Sequence, residues 1–361
     1  VGAAPDLFAN VFKTAPGSAR SRNAADDGDL VAFSFAVDGA SPMTMTVRVA
    51  TFDETGNAMV DVPVTNIPTV PDPAFNKTGV AVDDQGRVTV VFTDFDIGMG
   101  ISNVRAQRID GVTGTVIDPA FTVNGPARTA NSIALLDPAG DRLIIPNSDF
   151  AAVRGNVVDF TGPSPVILPE FPISTTPAAF GNVLPAVAAD LATGAYTVAW
   201  EHITGDVGNP VDVRARRFDA MGNPIGNDFR VNTTTANAQG QVAVAYDPSG
   251  SSVIAWAGDA AVAQDELDVF FQFYDANGNP IGGEIRANTF TENVQDRPIV
   301  GFLPENDGLG QPQFVVAWRD VEEADGTMPR GTGTSYKCFS VGQDPTQIFA
   351  DGFESGDTSS W

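Results

Sequence analysis

The feature that most constrains this chain is a tandem repeat. Residues Val187 to Asn232 hold V-A-A-D, then A-Y-T-V-A-W-E-H, then D-V-R-A-R-R-F-D-A-M-G-N-P-I-G-N-D-F-R-V-N, and nearly the same series returns between Val242 and Asn288. Trp200 and Trp256 stand 56 positions apart. Each copy has three short apolar or alternating runs and a fourth run after an Asp/Gly/Asn turn, the pattern of a four-stranded antiparallel meander. One sheet of that size cannot bury both of its faces, so the copies must cover one another.

Second-strand landmarks fall at Phe33, Phe92, Pro146, Trp200, Trp256 and Trp318, which predicts six units. Expected strands lie near Arg22–Ala25, Leu30–Phe35, Met45–Phe52 and Met59–Thr65 in the first unit, and at Val80, Val88–Asp94, Val104–Asp110 and Ala120–Asn124 in the second. The third unit is the most divergent, with prolines in its second and fourth strands that remove ladder donors. Runs such as Y-T-V-A-W are apolar on both faces, as a sheet sandwiched between two others requires.

The sixth unit stops short of a fourth strand at Ser340, while Asp6 to Thr14, D-L-F-A-N-V-F-K-T, reads as a fourth strand without its first three. These ends predict an all-β, six-bladed β-propeller of four-stranded antiparallel blades, its last blade completed by an N-terminal strand. The expected divisions are 1–22 for the closing or donated strand and its linker, 23–342 for the propeller, and 343–361 for an acidic, aromatic tail.

The turns D-x-x-G-N at Asp53, Asp219 and Asp275 have a local cause. The carboxylate accepts turn N–H groups and the glycine supplies a positive φ, so these aspartates read as structural.

The block V-A-W … V-R-A-R-R-F-D-A-M-G-N-P-I-G-N-D-F-R-V-N-T resembles a repeat of large secreted bacterial proteins with propeller-like repeats, a family of unassigned activity. The final I-F-A-D-G-F-E-S-G-D-T-S-S-W (Ile348 to Trp361) resembles a tail that recurs at the ends of exported proteins of Gram-negative bacteria. Both resemblances imply a secreted or extracellular protein, and neither carries a catalytic motif. The opening V-G-A-A-P reads in the same way, as the start of a mature protein after leader removal.

Forty-five acidic against 20 basic residues give a net charge of −25, which repels nucleic acid and anionic membrane surfaces. No apolar run approaches the length of a membrane span, so no membrane insertion is expected. The single cysteine, Cys338, forms no internal disulfide. His202, the sole histidine, lies without a G-x-S-x-G elbow and reads as an ordinary loop residue just past the second strand. The S-x-D-x-G-x-T-W box of sialidases is absent. Acids recur just beyond the second-strand landmark, at Asp94, Asp149, Glu201, Asp259 and Asp320. Hard oxygen ligands on one face would suit Ca²⁺, the only cofactor the sequence suggests. The sequons at Asn76 and Asn232 are read as chance.

The leading expectation is a non-enzymatic extracellular structural or adhesive subunit that assembles head-to-tail with copies of itself through its ends. Leu7, Phe8, Val11 and Phe12 would supply one side of that contact, and Ile348, Phe349, Phe353 and Trp361 the other. The N-terminal strand is apolar on both faces, and so wants more cover than one blade gives. The alternatives are a monomeric, calcium-dependent propeller that binds surface glycans, and a carbohydrate-active enzyme, glycosidase or lyase, working through paired carboxylates.

Overall fold

A computed structural model describes residues 21–26, 30–38, 44–53, 55–68, 78–96, 101–125, 128–130, 132–259, 267–289, 291, 294–303, 312–321, 332–341 and 348–350. Every helix or strand among them is a strand, and the antiparallel sheets, taken in chain order, are the six blades of a β-propeller. Among the described residues no helix is long and apolar enough to cross a membrane.

Blade 1 is β1 (Ser21–Asp26), β2 (Leu30–Asp38), β3 (Thr44–Asp53) and β4 (Ala58–Pro68). Blade 2 is β5 (Thr78–Val82), β6 (Arg87–Asp96), β7 (Ile101–Asp110) and β8 (Val116–Asn124). Blade 3 has β9 (Ala134–Leu135), β10 (Arg142–Ser148) and β11 (Val153–Asp159), with an outer edge broken into β12 (Val166–Ile167) and β13 (Phe171–Pro172). Proline explains the break: Pro169 stands between the two fragments and has no N–H to continue the ladder. Blade 4 is β14 (Gly181–Ala189), β15 (Tyr196–Asp206), β16 (Asn209–Phe218) and β17 (Pro224–Arg230). Blade 5 is β18 (Gln239–Tyr246), β19 (Ser252–Asp259), β20 (Leu267–Tyr274) and β21 (Pro280–Arg286). Blade 6 is β22 (Val294–Phe302), β23 (Gln313–Val321), β24 (Thr332–Val341) and β25 (Ile348–Ala350).

The last strand corrects the expectation for blade 6. Its outer position is filled from the C-terminal side, by pairing of Ile348 with Val341, Phe349 with Ser340 and Ala350 with Phe339. Three residues after a Gly/Asp/Pro-containing connection are too short a run to stand out as a strand by periodicity. The proposed closing strand, with Leu7, Phe8, Val11 and Phe12, lies outside the described residues, as do Phe353 and Trp361.

Two compact units divide the chain, Val1–Asp149 with Val153–Pro172, and Phe150–Ala152 with Ile173–Trp361. Inside each unit adjacent blades share cores. In the first, Val88, Val90 and Phe92 of β6 point into a cluster with Met45, Val47 and Ile67 of blade 1, while Val91 between them points into a cluster with Leu143, Ile145 and Val158 of blade 3. The period-2 alternation of a strand therefore serves two interfaces at once. In the second unit β19 does the same. Val253 and Ala255 pack with Phe314, Val316 and Trp318 of blade 6, and Ile254 and Trp256 pack with Ala199, Val213 and Ala215 of blade 4.

The turn aspartates act as expected. Asp219 Oδ1 accepts the Met221 and Asn223 N–H groups at 2.9 and 2.8 Å, and its Oδ2 accepts Asn223 Nδ2 at 3.0 Å, with Gly222 at φ 81°. Asp53 and Asp275 make the same hub. The Asn57 amide, with the Thr55 hydroxyl and turn N–H groups, holds the exposed Asp53 carboxyl down at about 2.

Candidate functional site

In blade 4 the pairing registers set Asn182 of β14 opposite His202 of β15, and His202 opposite Asp212 of β16. Directly paired residues share a sheet face, so the three form one row. Sequence periodicity ended the second strand at Trp200. The ladder instead continues to Asp206, which makes His202 a strand residue only 7% exposed rather than a loop one.

A chain of donors fixes this row. Asn182 N–H donates to Phe150 O at 2.7 Å, and Asn182 Nδ2 donates to Ala151 O at 3.1 Å. Asn182 Oδ1 accepts Trp200 Nε1–H at 2.9 Å and lies 2.8 Å from His202 Nδ1. Asp212 Oδ1 accepts Asn232 Nδ2 at 2.8 Å and Asn209 Nδ2 at 3.3 Å, while Asn232 Oδ1 accepts the Val213 N–H at 2.8 Å. Blade 5 repeats the last part with Asp268, Asn288 and the Val269 N–H. Asn232 is thus buried and its Nδ2 fully engaged, a structural reason for an asparagine in that sequon. Asn76 lies outside the described residues.

Burial pushes the His202 imidazole below its ordinary value, Arg214 adds to the effect, and Asp212 and Asp228 oppose it. The ring is accordingly neutral at pH 7.

Three exposed apolar side chains stand on the segments that carry this row. Phe180 is 73% exposed, Val207 at the β15–β16 turn is fully exposed, and Phe150 is 43% exposed with φ 70°. The Phe180 N–H donates to Ile203 O, and its ring lies across Gly205, where an added Cβ would come 2.7 Å from Cε2. Glycine at 205 lets the aromatic ring lie flat on the hairpin. Phe150 is joined to the row through its carbonyl, which receives the Asn182 N–H.

A second repeated device lies in the first strands of blades 4, 5 and 6. Leu184, Gln241 and Arg297 have φ of 52°, 55° and 53°, each at a register shift in its blade. Non-glycine residues in this conformation are strained, and three aligned bulges hold the strands in a common kink. Glu201 Oε1 accepts the Gln241 N–H at 2.7 Å, and Gln241 Oε1 accepts the Arg297 N–H at 2.6 Å, so each blade's side chain holds the next blade's bulge.

The outer strands carry a related clasp. Alternation along β17 sets Asp228 on the face opposite Phe229, and its carboxylate is buried there. On that face, which Arg214 shares through its pairing with Arg230, it accepts the N–H groups of Thr175 and Thr176 at 2.6 and 2.8 Å, both hydroxyls, and Arg214 at 2.8 Å. Burial alone would raise its pKa; the threonine donors and Arg214 outweigh that and hold it far below the usual carboxylate range. Glu284 of blade 5 grips Thr233 and Thr234 in the same way.

Four of the five acids singled out as cation ligands are engaged through their carboxylates, and Asp259 is held through its backbone N–H. Asp94 pairs with Arg105 at 3.2 Å, and Asp149 with Arg128 at 3.0 Å and Arg154 at 3.6 Å. Glu201 holds the Gln241 bulge, the Asp259 N–H donates to Ala238 O, and Asp320 accepts Trp318 Nε1 at 3.2 Å and the Ser335 hydroxyl. Among the described residues no three His, Cys, Asp or Glu side chains converge on a point that could hold a metal ion.

In blade 3 Asp149 and Glu170 both lie near Arg154 Nε, at 3.6 and 3.7 Å, and both also bind Arg128. Both carboxylates of this pair are thus engaged by two guanidinium groups, Arg128 and Arg154.

Sequence reading missed Asn182, Asp212 and Asp228. The repeat itself could have found one of them: Asp212, with its partner Asn232, recurs 56 positions on as Asp268 with Asn288.

No family model matches the chain, and no curated protein does. Solved structures share its fold. A point mutant of the α-L-arabinofuranosidase Arb93A from Fusarium graminearum, bound to an iminosugar inhibitor, aligns with TM-score 0.53 at 11% identity over 88% of this chain and 92% of that one. A protein of unknown function from Dyadobacter fermentans aligns with TM-score 0.52 at 10% identity, over 89% and 94%. At such identities the likeness is one of fold.

Proposed function

We propose that this chain is an extracellular carbohydrate-active propeller that engages neutral glycan chains at the end of blade 4, with glycoside hydrolysis as its reaction class. The observation that carries the reading is the pairing of exposed aromatic rings, Phe150 and Phe180, with a polar row, Asn182–His202–Asp212, whose orientation is fixed by internal hydrogen bonds. Sugar rings present apolar C–H faces that stack on aromatic rings and hydroxyls that need fixed partners. A net charge of −25 favours neutral chains over uronic-acid polymers, which it would repel. Fold likeness to an arabinofuranosidase supports glycosidic chemistry as the class to test first, and arabinan as one substrate to include.

Assembly through a donated N-terminal strand has less support, because β25 already occupies the outer edge of blade 6. The deciding experiment incubates the protein with soluble arabinan, xylan, β-glucan and a uronic-acid polymer, reading both retardation in affinity gels and release of reducing ends. Retardation and release by a neutral polymer support the proposal. Retardation without release leaves a glycan-binding propeller, and neither effect with any neutral polymer overturns the reading.

A further inference from the structure

The sole histidine of the chain is held in one tautomer. Indole nitrogen can only donate, so the Asn182 atom that receives Trp200 Nε1–H is the oxygen, and the amide nitrogen on its other side donates to Ala151 O. His202 Nδ1, 2.8 Å from that same oxygen, must then carry a proton. In a neutral ring this leaves Nε2 as a bare lone pair. Nε2 has no hydrogen-bond partner among the described residues, yet it is not among the buried atoms sealed from solvent without a partner. Asp212, next in the row, has its Oδ1 occupied by the Asn232 and Asn209 amides.

We infer that His202 Nε2 is a fixed hydrogen-bond acceptor for a ligand hydroxyl, and that this makes the blade-4 site selective for polyhydroxylated neutral ligands. The inference rests on the glycan reading above and gives that site a residue that discriminates. A lone pair receives a hydroxyl and rejects groups that offer only acceptors, such as phosphate, carboxylate and amide carbonyl; a missing partner at a buried polar atom is what makes such selection strong. The charged groups facing the ring are Arg214, Asp212 and Asp228. Burial and Arg214 outweigh the two carboxylates and keep the ring neutral through pH 7, so the acceptor persists at neutral pH. Acid protonates Nε2 and replaces the acceptor with a donor, so the selection against acceptor-only groups is lost.

Because there is one histidine, ring ¹⁵N labelling of the full chain reports on His202 alone. At pH 7 the spectrum should show a protonated Nδ1 and an unprotonated Nε2, with imidazolium becoming the main form only at a pH below that of an ordinary histidine. A protonated Nε2 at neutral pH overturns this inference and leaves the glycan reading intact. The binding arm compares the parent protein with His202→Phe and His202→Gln on soluble arabinan, xylan and β-glucan at pH 7. His202→Phe keeps the ring volume, and the Trp200 indole still satisfies Asn182 Oδ1, so circular dichroism should be unchanged. About tenfold weaker binding by His202→Phe, partly restored in His202→Gln through its carbonyl oxygen, is the expected result. Equal binding by parent and His202→Phe contradicts the acceptor role alone. Absence of binding by the parent protein overturns the glycan reading and this role together.

Discussion

Blades 5 and 3 solve the same packing problem with opposite means. In blade 5 the landmark is Trp256, fully buried, stacked on Phe270 at 6.2 Å, its Nε1 satisfied by Gln239 at 3.1 Å. Phe271 on the other face meets Phe314 at 5.3 Å and Phe339 at 4.6 Å. In blade 3 the landmark is Pro146, paired with Gly155, and the neighbouring Asn147 and Asn156 are buried. Asn156 Oδ1 accepts from Asn124 and Asn147, and its Nδ2 donates to Leu168 O between the two halves of the outer edge. A repeat stays regular where aromatic volume fills a shared core, and drifts where a polar network holds the sheet.

The comparison is sharpened most by Trp256→Ala. Removing a fully buried indole should cost about 3–5 kcal/mol in urea unfolding, whereas Pro146→Ala should change stability by less than about 1 kcal/mol. Equal losses at the two landmarks would break it. Asn156→Ala comes next, with a loss of about 1–3 kcal/mol, because it strips partners from Asn124, Asn147 and the Leu168 carbonyl at once.

Asp228→Asn separates polar clasp from apolar core through pH. The folded-state pKa of Asp228 is depressed, so its stabilisation is fully present above the unfolded value near 4 and is lost as pH falls toward the folded one. The variant should therefore be less stable by about 1–2 kcal/mol at pH 7, with the gap narrowing steadily below pH 4. A gap independent of pH would assign the loss to packing. A smaller loss than at Trp256, Asn156 or Asp228 is expected at Gly222→Ala. Space is available there, with Tyr196 Oη 3.6 Å from the new Cβ, so only the left-handed backbone at φ 81° is penalised, by about 1 kcal/mol.

Six blades were legible because Trp200, Trp256 and Trp318 recur with alternating neighbours, and strand placement in blades 1, 2, 4 and 5 followed directly. Blade 6 was less legible at its edge, since three residues, Ile348 to Ala350, carry no period. Candidate chemistry was harder still. Alternation sets Asp228 on the face opposite Phe229, and sequence does not reveal that Thr175 and Thr176 cover it there and make it a clasp. Acids at Asp94, Asp149 and Glu201 looked like a convergent set because sequence gives their order along strands and hides the arginines and bulge N–H groups that engage them. His202 needed both its ladder partners, Asn182 and Asp212, before its orientation could be read.

The exposed ring of Phe180 gives the most direct test of the glycan site, because its loss leaves the buried row and the core in place. Affinity of parent and Phe180→Ala proteins for the same soluble neutral polysaccharide, measured by calorimetry at pH 7, should differ by about tenfold in favour of the parent, with unchanged unfolding curves. Identical affinities, with both proteins bound, would contradict an aromatic sugar platform at the end of blade 4.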